Sequence, residues 1–190
     1  MVNIIQNKDA IFDTEKFDVI LVGTSIMCRL ANGFQRKIKC KYPFVDKINN
    51  KTPYGDLRKL GVCEVIDGYP YIVLMYITKQ ASGRKCFLDY VALEKCMSFI
   101  NEKFSGKRVM SSMVGCSRFD GMGDKETVLS IIKNNTEHVE LTLYDYEQKS
   151  YRKEIKQIKS KIYSFKTVNP YQYEELKKNK TNILESLYLI

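Results

Sequence analysis

Lysine and aspartate occur at the ends of two predicted strands, where side chains of these types could act on a bound substrate. Lys79 follows an apolar run that covers residues 71–77, and Asp120 lies in a turn after a second run over residues 109–114. Such runs are typical of buried strands. The carboxyl ends of central strands border the crevice in which α/β folds bind their ligands. We therefore expect the two residues to belong to one site.

The chemistry that these residues could perform is nucleophilic and acid–base catalysis. A lysine amine is a nucleophile only when it is unprotonated, so catalysis by Lys79 would require partial burial that lowers its pKa. A carboxyl group such as that of Asp120 can carry a proton to and from the reacting atoms. The residues alone favour an exposed loop lysine for Lys79 and an ordinary turn residue before Gly121 for Asp120.

The rest of the pattern alternates apolar runs with amphipathic segments, which predicts an α/β fold with helices on a mixed sheet. An Asp67-Gly68 pair predicts a hairpin turn between two of the strands. Strands are predicted over residues 2–6, 18–23, 62–66, 71–77, 109–114 and 139–146, with the first at an edge of the sheet. Helices are predicted over residues 30–41, with an extension over 46–51, from about residue 87 to 104, and over 124–134.

The overall composition indicates a globular protein. The chain has 190 residues, of which 44% are hydrophobic, enough for one domain and an appendage. No apolar run approaches the roughly 20 residues that span a bilayer, and the N-terminus lacks the pattern of a secretory signal. The six cysteines form no Cys-x-x-Cys pair, so reduced thiols in the cytoplasm are expected. The abundance of Lys, Ile, Asn and Tyr suggests an AT-rich genome, such as that of a virus, which would place the protein in the host cytoplasm.

Positive charge is concentrated in two parts of the chain, whose net charge is +9. Residues 148–190 contain ten lysines and arginines against four glutamates, a net charge of +6. A second cluster without acidic residues comprises Arg29, Arg36, Lys37, Lys39 and Lys41. Such clusters attract phosphates and polyanions, although a solvated helix face has the same composition.

The basic C-terminal segment is predicted to be helical. Four apolar residues fall on one helical stripe among lysines: Ile155, Ile158, Ile162 and Phe165. We expect a domain over residues 1–147 and an extension over 148–190 that packs on it through this stripe. Contact of the extension with a polyanion, a partner protein or a membrane surface is an alternative, but no membrane partner is expected for the protein as a whole.

Over about residues 1–147 the chain resembles macrodomains, the modules that bind ADP-ribose. It is most similar to the branch that contains the terminal ADP-ribose protein glycohydrolase. That branch has a strand ending in Leu-Ile-Thr-Lys followed by an Ala-Ser pair, similar to residues 76–79 and 81–82 here. It also has a Gly-Cys-Gly-Leu-Asp loop, one residue shorter than residues 115–120 of this chain. The resemblance implies a three-layer α/β/α sandwich with a mixed central sheet.

The resemblance also implies an ADP-ribose pocket. Asp9 corresponds to an aspartate that accepts a hydrogen bond from the adenine amino group, with a helix or turn cap as the alternative role. The family's first phosphate loop, Met-Gly-Ala-Gly-Ile-Ala, aligns with residues 30–35, which retain Gly33 but have Ala31 at the first glycine. Other residues expected around the ligand are Ser25, Asn32, Phe34, Gly115, Cys116, Ser117, Arg118 and Phe119. Ser25 would line the distal ribose, and Arg118 would bind a phosphate.

Lys79 and Asp120 are the catalytic residues that the resemblance implies. The lysine attacks C1″ of the distal ribose and forms a covalent adduct, while the aspartate serves as acid and base, so this route needs no metal and no cofactor. Cys116 is expected to be a packing residue, because the only histidine, His138, lies in a different element. Substrates would be ADP-ribose esters on acidic side chains or an ADP-ribosylated nucleobase.

Three alternatives remain on the sequence alone. The domain could be a reader that binds ADP-ribose, or an ADP-ribosylated protein or nucleic acid, without turnover. It could be a scaffold that has lost ligand binding, since two loop glycines are replaced. Dephosphorylation of ADP-ribose 1″-phosphate occurs elsewhere among macrodomains, but the Ile-Thr-Lys motif favours the glycohydrolase branch.

Overall fold

The computed structural model describes residues 2–80, 85–117 and 120–146. The predicted C-terminal extension, with its apolar stripe, lies outside the described residues, and so do Arg118 and Phe119. The boundary after residue 147 and the packing of the extension therefore stay predictions. All predicted strands and helices of the first domain fall within the described ranges.

Six strands form one mixed sheet, as the sequence predicts. Their bounds are β1 Val2–Gln6, β2 Val19–Ser25, β3 Cys63–Ile66, β4 Tyr71–Thr78, β5 Arg108–Ser112 and β6 Glu140–Asp145, and their order in the sheet is β1-β6-β5-β2-β4-β3. β1 lies at an edge, and all neighbouring pairs are parallel except the β3–β4 hairpin. The five parallel strands consequently place their carboxyl ends along one edge of the sheet.

Four α-helices connect the strands: α1 Gly33–Lys41, α2 Pro43–Asn49, α3 Tyr90–Lys103 and α4 Lys125–Asn134. Short 3-10 helices occur at Ala10–Lys16 and Leu57–Lys59. The sequence places the start of α3 near Phe87, but the backbone N–H groups of Phe87 and Leu88 donate to the carbonyl of Gly121 instead. The helix therefore begins after Asp89, whose carboxylate caps it by accepting the N–H of Ala92 at 3.0 Å.

Alternation of apolar residues in the central strands creates two cores, one on each face of the sheet. Val19 and Leu21 pack on one face with Leu93 of α3 and Val128 of α4. The intervening residues of β2 pack on the other face, with Ile38 of α1 and Val45 of α2. This arrangement is the predicted three-layer α/β/α sandwich.

The chain leaves the neighbouring strands β2 and β5 toward opposite faces of the sheet. α1, which follows β2, covers one face, whereas α4, which follows β5, covers the other. A crevice opens where such connections diverge, and α/β folds bind ligands there. The loop before α1 and the loop before α4 therefore form the two walls of the expected site.

A buried lysine supports the segment that leads from β2 to α1. The Lys59 amine donates to Thr52 Oγ1 at 2.6 Å, to the carbonyl of Pro53 at 3.1 Å and to Cys28 Sγ at 3.0 Å. It also lies 4.0 Å from the ring centroid of Tyr76. These contacts hold the loop between α2 and β3 against the first wall of the crevice.

Candidate functional site

Asp120 lies at the crevice between β2 and β5 and is held through both carboxylate oxygens. Its Oδ2 accepts the backbone N–H of Gly115 at 2.7 Å, and its Oδ1 accepts the side-chain amide of Gln35 at 3.2 Å. Asp120 is half-buried as a residue, but its carboxylate lies deep among protein atoms. This burial raises the pKa of Asp120 to about 7, against the lowering effect of the two donors. A carboxyl group with such a pKa can give and take a proton near neutral pH.

The loop that carries Asp120 depends on glycines in the left-handed region of backbone conformation. Gly115 has φ +77° and Gly121 has φ +125°. A Cβ on Gly121 would lie 2.6 Å from the carbonyl oxygen of Gly115, which rules out larger residues without a backbone shift. The carbonyl of Ser117 accepts the N–H groups of Asp120 and Met122, both at 3.0 Å. The loop thus folds back tightly enough to bring Asp120 over the end of β2.

Cys116 behaves as a packing residue in this loop, in agreement with its interpretation from the sequence. Its thiol donates to the carbonyl of Val114 at 3.5 Å, and the residue packs against the core. Burial raises the pKa of Cys116 to about 12, and the negative charge of Asp120 adds to the effect. A thiol that stays protonated at neutral pH is a poor nucleophile.

Lys79 follows β4 and differs from the sequence expectation in its exposure. Its side chain is 62% exposed, and its amine lies 3.8 Å from Oδ2 of Asp89, the cap of α3. Partial burial was expected because a nucleophilic amine must lose its proton. In this conformation the amine is instead solvated, and it lies close to the carboxylate that caps α3.

Ser25 ends β2 and is buried, with 3% exposure. Its hydroxyl has no hydrogen-bond partner among the described residues, and the same is true of the neighbouring Thr24. A buried hydroxyl without a partner costs free energy, so such a group at a strand end is available to a ligand or a water molecule. On the sequence alone a cap or turn role is at least as well supported for Ser25. Its carbonyl does accept the N–H of Cys28 at 3.1 Å in a turn, whereas its side chain makes no cap hydrogen bond.

The backbone N–H groups in the first turn of α1 have no side-chain cap. Asn32 precedes the helix and makes no side-chain cap hydrogen bond. Gly33 has φ +50°, and no atom lies within 4 Å of a Cβ built on it, so the space beside it is open. Phe34 is partly buried against the core. Free N–H groups at a helix start suit an anionic ligand.

Asp9 occupies a cap position, the alternative role that the sequence left open. Its Oδ1 accepts the N–H of Ile11 at 3.2 Å, and its other carboxylate oxygen forms an ion pair with Lys37 of α1. Burial lowers the pKa of Lys37. The cap does not exclude contact with adenine, since a carboxylate can accept about four hydrogen bonds.

Comparisons with known proteins were made with both the sequence and the structure. The sequence matches no protein-family model and no curated protein. The structure resembles the macrodomain of Mycobacterium tuberculosis DarG, with TM-score 0.57 and 16% identity over 77% of this chain and 99% of the other. It resembles the macrodomain of Thermus aquaticus DarG with TM-score 0.58 and 14% identity, over 76% and 98% of the two chains. A third similar structure is Thermosipho africanus DarTG in complex with ADP-ribose, with TM-score 0.58 and 12% identity, over 75% and 41%.

This chain has the macrodomain fold. The predicted resemblance is thereby confirmed at the level of the fold, and the described elements follow the predicted order without exception. At identities of 12–16%, the similarity shows a shared backbone fold and does not show shared roles of individual side chains. The roles of single residues in this macrodomain consequently depend on the geometry described above.

The fold brings some of the predicted residues together and keeps others apart. Asp120 and Gly115 share a hydrogen bond, and both lie beside the end of β2 that carries Ser25. Lys79 follows β4 on the other side of β2 and forms its ion pair with Asp89, not with Asp120. Lys79 and Asp120, which were expected to share one site, therefore do not form an ion pair with each other in the described structure.

Three residues near the site were missed by the sequence reasoning. Gln35 contacts Asp120, Lys37 pairs with Asp9, and Asp89 pairs with Lys79. Gln35 carried a usable signal, because it stands where the similar family loop has alanine. Lys37 was seen only as part of the basic cluster, and Asp89 only as a residue at the start of a helix.

The lysines of the basic cluster are engaged within the domain. Lys37, Lys39 and Lys41 pair with Asp9, Asp46 and Glu15, respectively. These pairs favour the solvated helix face over a polyanion surface, although Arg29 and Arg36 are exposed near the start of α1. Within residues 2–80, 85–117 and 120–146, no set of three potential ligands could hold a metal ion. No helix in these ranges is long and apolar enough to cross a bilayer.

Proposed function

We propose that this macrodomain binds ADP-ribose in the crevice between β2 and β5 and hydrolyses ADP-ribosyl linkages. The substrates would be esters on acidic side chains or an ADP-ribosylated nucleobase. The observation that carries the proposal is the buried Asp120 carboxylate, whose pKa is raised to about 7 beside the crevice of a macrodomain fold. Perturbed carboxyl groups in clefts are candidates for acid–base catalysis.

The binding part of the proposal uses the residues that line the walls of the crevice. The free N–H groups at the start of α1 and the N–H groups of Cys116 and Ser117 would donate to the diphosphate. The unpartnered hydroxyl of Ser25 would meet the distal ribose. Asp9 would accept a hydrogen bond from the adenine amino group while it caps the 3-10 helix. Among the similar structures, DarTG of Thermosipho africanus is in complex with ADP-ribose, which supports the choice of ligand.

In the chemical step, Lys79 Nζ would attack C1″ of the distal ribose. The bond between C1″ and the leaving atom, an ester oxygen or a nucleobase nitrogen, breaks, and Asp120 donates its proton to the departing group. Water would then add to the lysine adduct with Asp120 as general base, which returns free ADP-ribose and the free amine. Before it attacks, Lys79 has to move away from Asp89 and give up a proton.

A second function is favoured by the position of Lys79. The Lys79 amine is exposed and paired with Asp89. A site that only binds its ligand requires no nucleophile, so this position of the amine agrees with binding without turnover. The macrodomain would then be a reader that recognises ADP-ribose on a protein or nucleic acid without turnover. The buried Asp120 would in that case fix the loop through Gly115 and Gln35.

The test measures release of ADP-ribose from an ester-linked and from a nucleobase-linked substrate. We expect turnover by the native protein, a loss of roughly 10²–10⁴-fold in Asp120→Ala, and no borohydride-trapped adduct in Lys79→Ala. ADP-ribose affinity should change little in either variant. Lys133→Ala, an exposed lysine of α4, is the matched control and should retain full activity. Tight binding without turnover of either substrate would establish the reader.

A further inference from the structure

Gln35 spans the crevice and connects its two walls. It belongs to the first turn of α1, and its amide nitrogen Nε2 donates to the carbonyl of Gly23 at 2.7 Å and to Asp120 Oδ1 at 3.2 Å. An amide nitrogen carries two hydrogens, so these two bonds use its full donor capacity. One side chain thus joins α1, the end of β2 and the loop before α4.

Glycine at position 23 allows close packing of side chains around this contact. A Cβ there would lie 2.3 Å from Val114 Cγ2 and 2.9 Å from Ile77 Cδ1, and 3.4 Å from Asp120 Oδ1 itself. The Asp120 carboxylate therefore lies directly over the backbone of β2. The amide nitrogen of Gln35 donates both to this carboxylate and to the carbonyl of Gly23. Without Gln35, these two hydrogen-bond acceptors would face each other with no donor between them.

Gln35 is also the one side chain in the described part of the chain that donates to Asp120. The other oxygen of the carboxylate is held by a backbone group, the N–H of Gly115, which no substitution at another position removes. The neighbouring titratable group on the same loop is the Cys116 thiol, and β2 contributes only Gly23 at this point. The orientation and charge of the Oδ1 side of Asp120 consequently depend on Gln35.

We infer that Gln35 is a positioning residue that orients Asp120 and stabilises its ionised form. The inference rests on the proposed acid–base role of Asp120. A donor that contacts the charged form of an acid favours that form, whereas burial opposes it. With Gln35 in place, Asp120 can return to the base form after it has protonated the leaving group. Without Gln35, burial would keep the carboxyl group protonated at neutral pH.

The direct experiment is a titration of the Asp120 carboxyl carbon by NMR in the full chain. Gln35→Met keeps a long unbranched side chain but removes the donor. We expect the titration midpoint of Asp120 to move up by about one pH unit, since hydrogen bonds to charged groups are among the stronger ones. Cys40→Ala, an exposed neutral position of the same helix, is the control and should leave the midpoint in place.

An unmoved midpoint in a folded Gln35→Met variant would overturn the inference. This readout needs no turnover, so it separates the inference from the proposed function. If the protein is a hydrolase, the acid limb of kcat should follow the same shift in Gln35→Met, while KM changes less than kcat. An equal loss at every pH would show a structural role only and would also overturn the inference.

Discussion

At the scale of the residue, the environment of Asp120 departs strongly from that of a free carboxyl group in water. Its carboxylate is buried under the loop over residues 115–123 and lies beside β2, with two donors and no cation in contact in the described structure. Its raised pKa has a consequence for folding stability that can be measured without any ligand. In the unfolded chain this carboxyl group has the ordinary pKa of 3.8, whereas in the native protein its pKa is about 7.

This difference predicts a stability that falls as pH rises from about 4 to 7. Between these values the native state holds a proton on Asp120 that the unfolded state has released, so raising the pH favours unfolding by up to about 1.4 kcal/mol per pH unit. Asp120→Asn should flatten this part of the profile, as measured by denaturant unfolding at pH 5.5 and 8. The contribution of Asp13 does not interfere, because its pKa is lowered to about 2 and acts only at more acidic pH.

An equal fall of stability in Asp120→Asn and the native protein would contradict the buried environment of this carboxylate. The comparison uses the change between two pH values within each protein. The substitution also changes the free energy of unfolding by an amount that does not depend on pH, for example because the new amide group faces the Gln35 donor. This amount cancels in the difference between the two pH values.

Asp9 permits a second prediction, which concerns the recognition of adenine. An inosine analogue of ADP-ribose lacks the exocyclic amino group that Asp9 would contact. We expect the native protein to bind ADP-ribose more tightly than the analogue by roughly 1–3 kcal/mol, because the analogue lacks the donor of a hydrogen bond to this carboxylate. In Asp9→Ala the preference should vanish, as measured by calorimetric titration with both ligands.

The test compares the ratio of the two affinities, which does not change when Asp9→Ala weakens both ligands for a structural reason. Loss of its cap at Ile11 and of its ion pair with Lys37 would weaken both ligands alike. Discrimination that persists in Asp9→Ala would show that another group recognises the amino group of adenine.

At the scale of the element, the glycines that shape the loop over residues 115–123 decide where Asp120 lies. Gly121→Ala should destabilise the protein by about 1–3 kcal/mol, since it adds backbone strain and a contact of 2.6 Å with the Gly115 carbonyl. Gly106→Ala is the matched control. Gly106 also has a positive φ, +74°, but no atom lies within 4 Å of its Cβ position. Thermal unfolding should show a clearly larger loss of stability for Gly121→Ala than for Gly106→Ala. Equal losses would mean that the loop relieves the contact with the Gly115 carbonyl without a loss of free energy.

The strands were the most predictable elements, for a physical reason. β2 and β4 are buried on both faces, so their sequences are continuous apolar runs that need no tertiary information to be recognised. Helix starts were less predictable. The beginning of α3 is decided by the carbonyl of Gly121, more than thirty residues away in sequence, which takes the N–H groups of Phe87 and Leu88.

The site was predictable in its position and less so in its contacts. Strand ends placed Ser25, Lys79 and Asp120 along one edge of the sheet, because five strands are parallel. The bond from Gln35 to Asp120 joins positions 85 residues apart and lies in the close packing around Gly23. The exposure of Lys79 depends on the cap residue Asp89, whose position follows from the late start of α3. Sequence patterns report local periodicity and therefore do not contain such long-range distances.

At the scale of the whole molecule, ligand binding has to stabilise the folded state. Anything that binds only the native protein adds RT ln(1 + [L]/Kd) to its stability, about 2.7 kcal/mol at a concentration one hundred times Kd. For a chain of this size, ADP-ribose should then raise Tm by roughly 5–10 °C. AMP lacks the second phosphate and the distal ribose, so it should produce a much smaller rise at the same concentration.

The measurement of Tm distinguishes the two proposed functions, which both require ADP-ribose binding, from a domain that no longer binds ADP-ribose. ADP-ribose is the product of the hydrolase and the ligand of the reader, so both require the rise in Tm, and Lys79→Ala should show it as fully as the native protein. Asp9→Ala should show less of it, because the adenine contact contributes to affinity. No rise with ADP-ribose would mean that the substitutions at Ala31 and Ser117 have closed the phosphate site. The macrodomain fold would then serve as a scaffold, and its interactions would have to be sought on other surfaces of the protein.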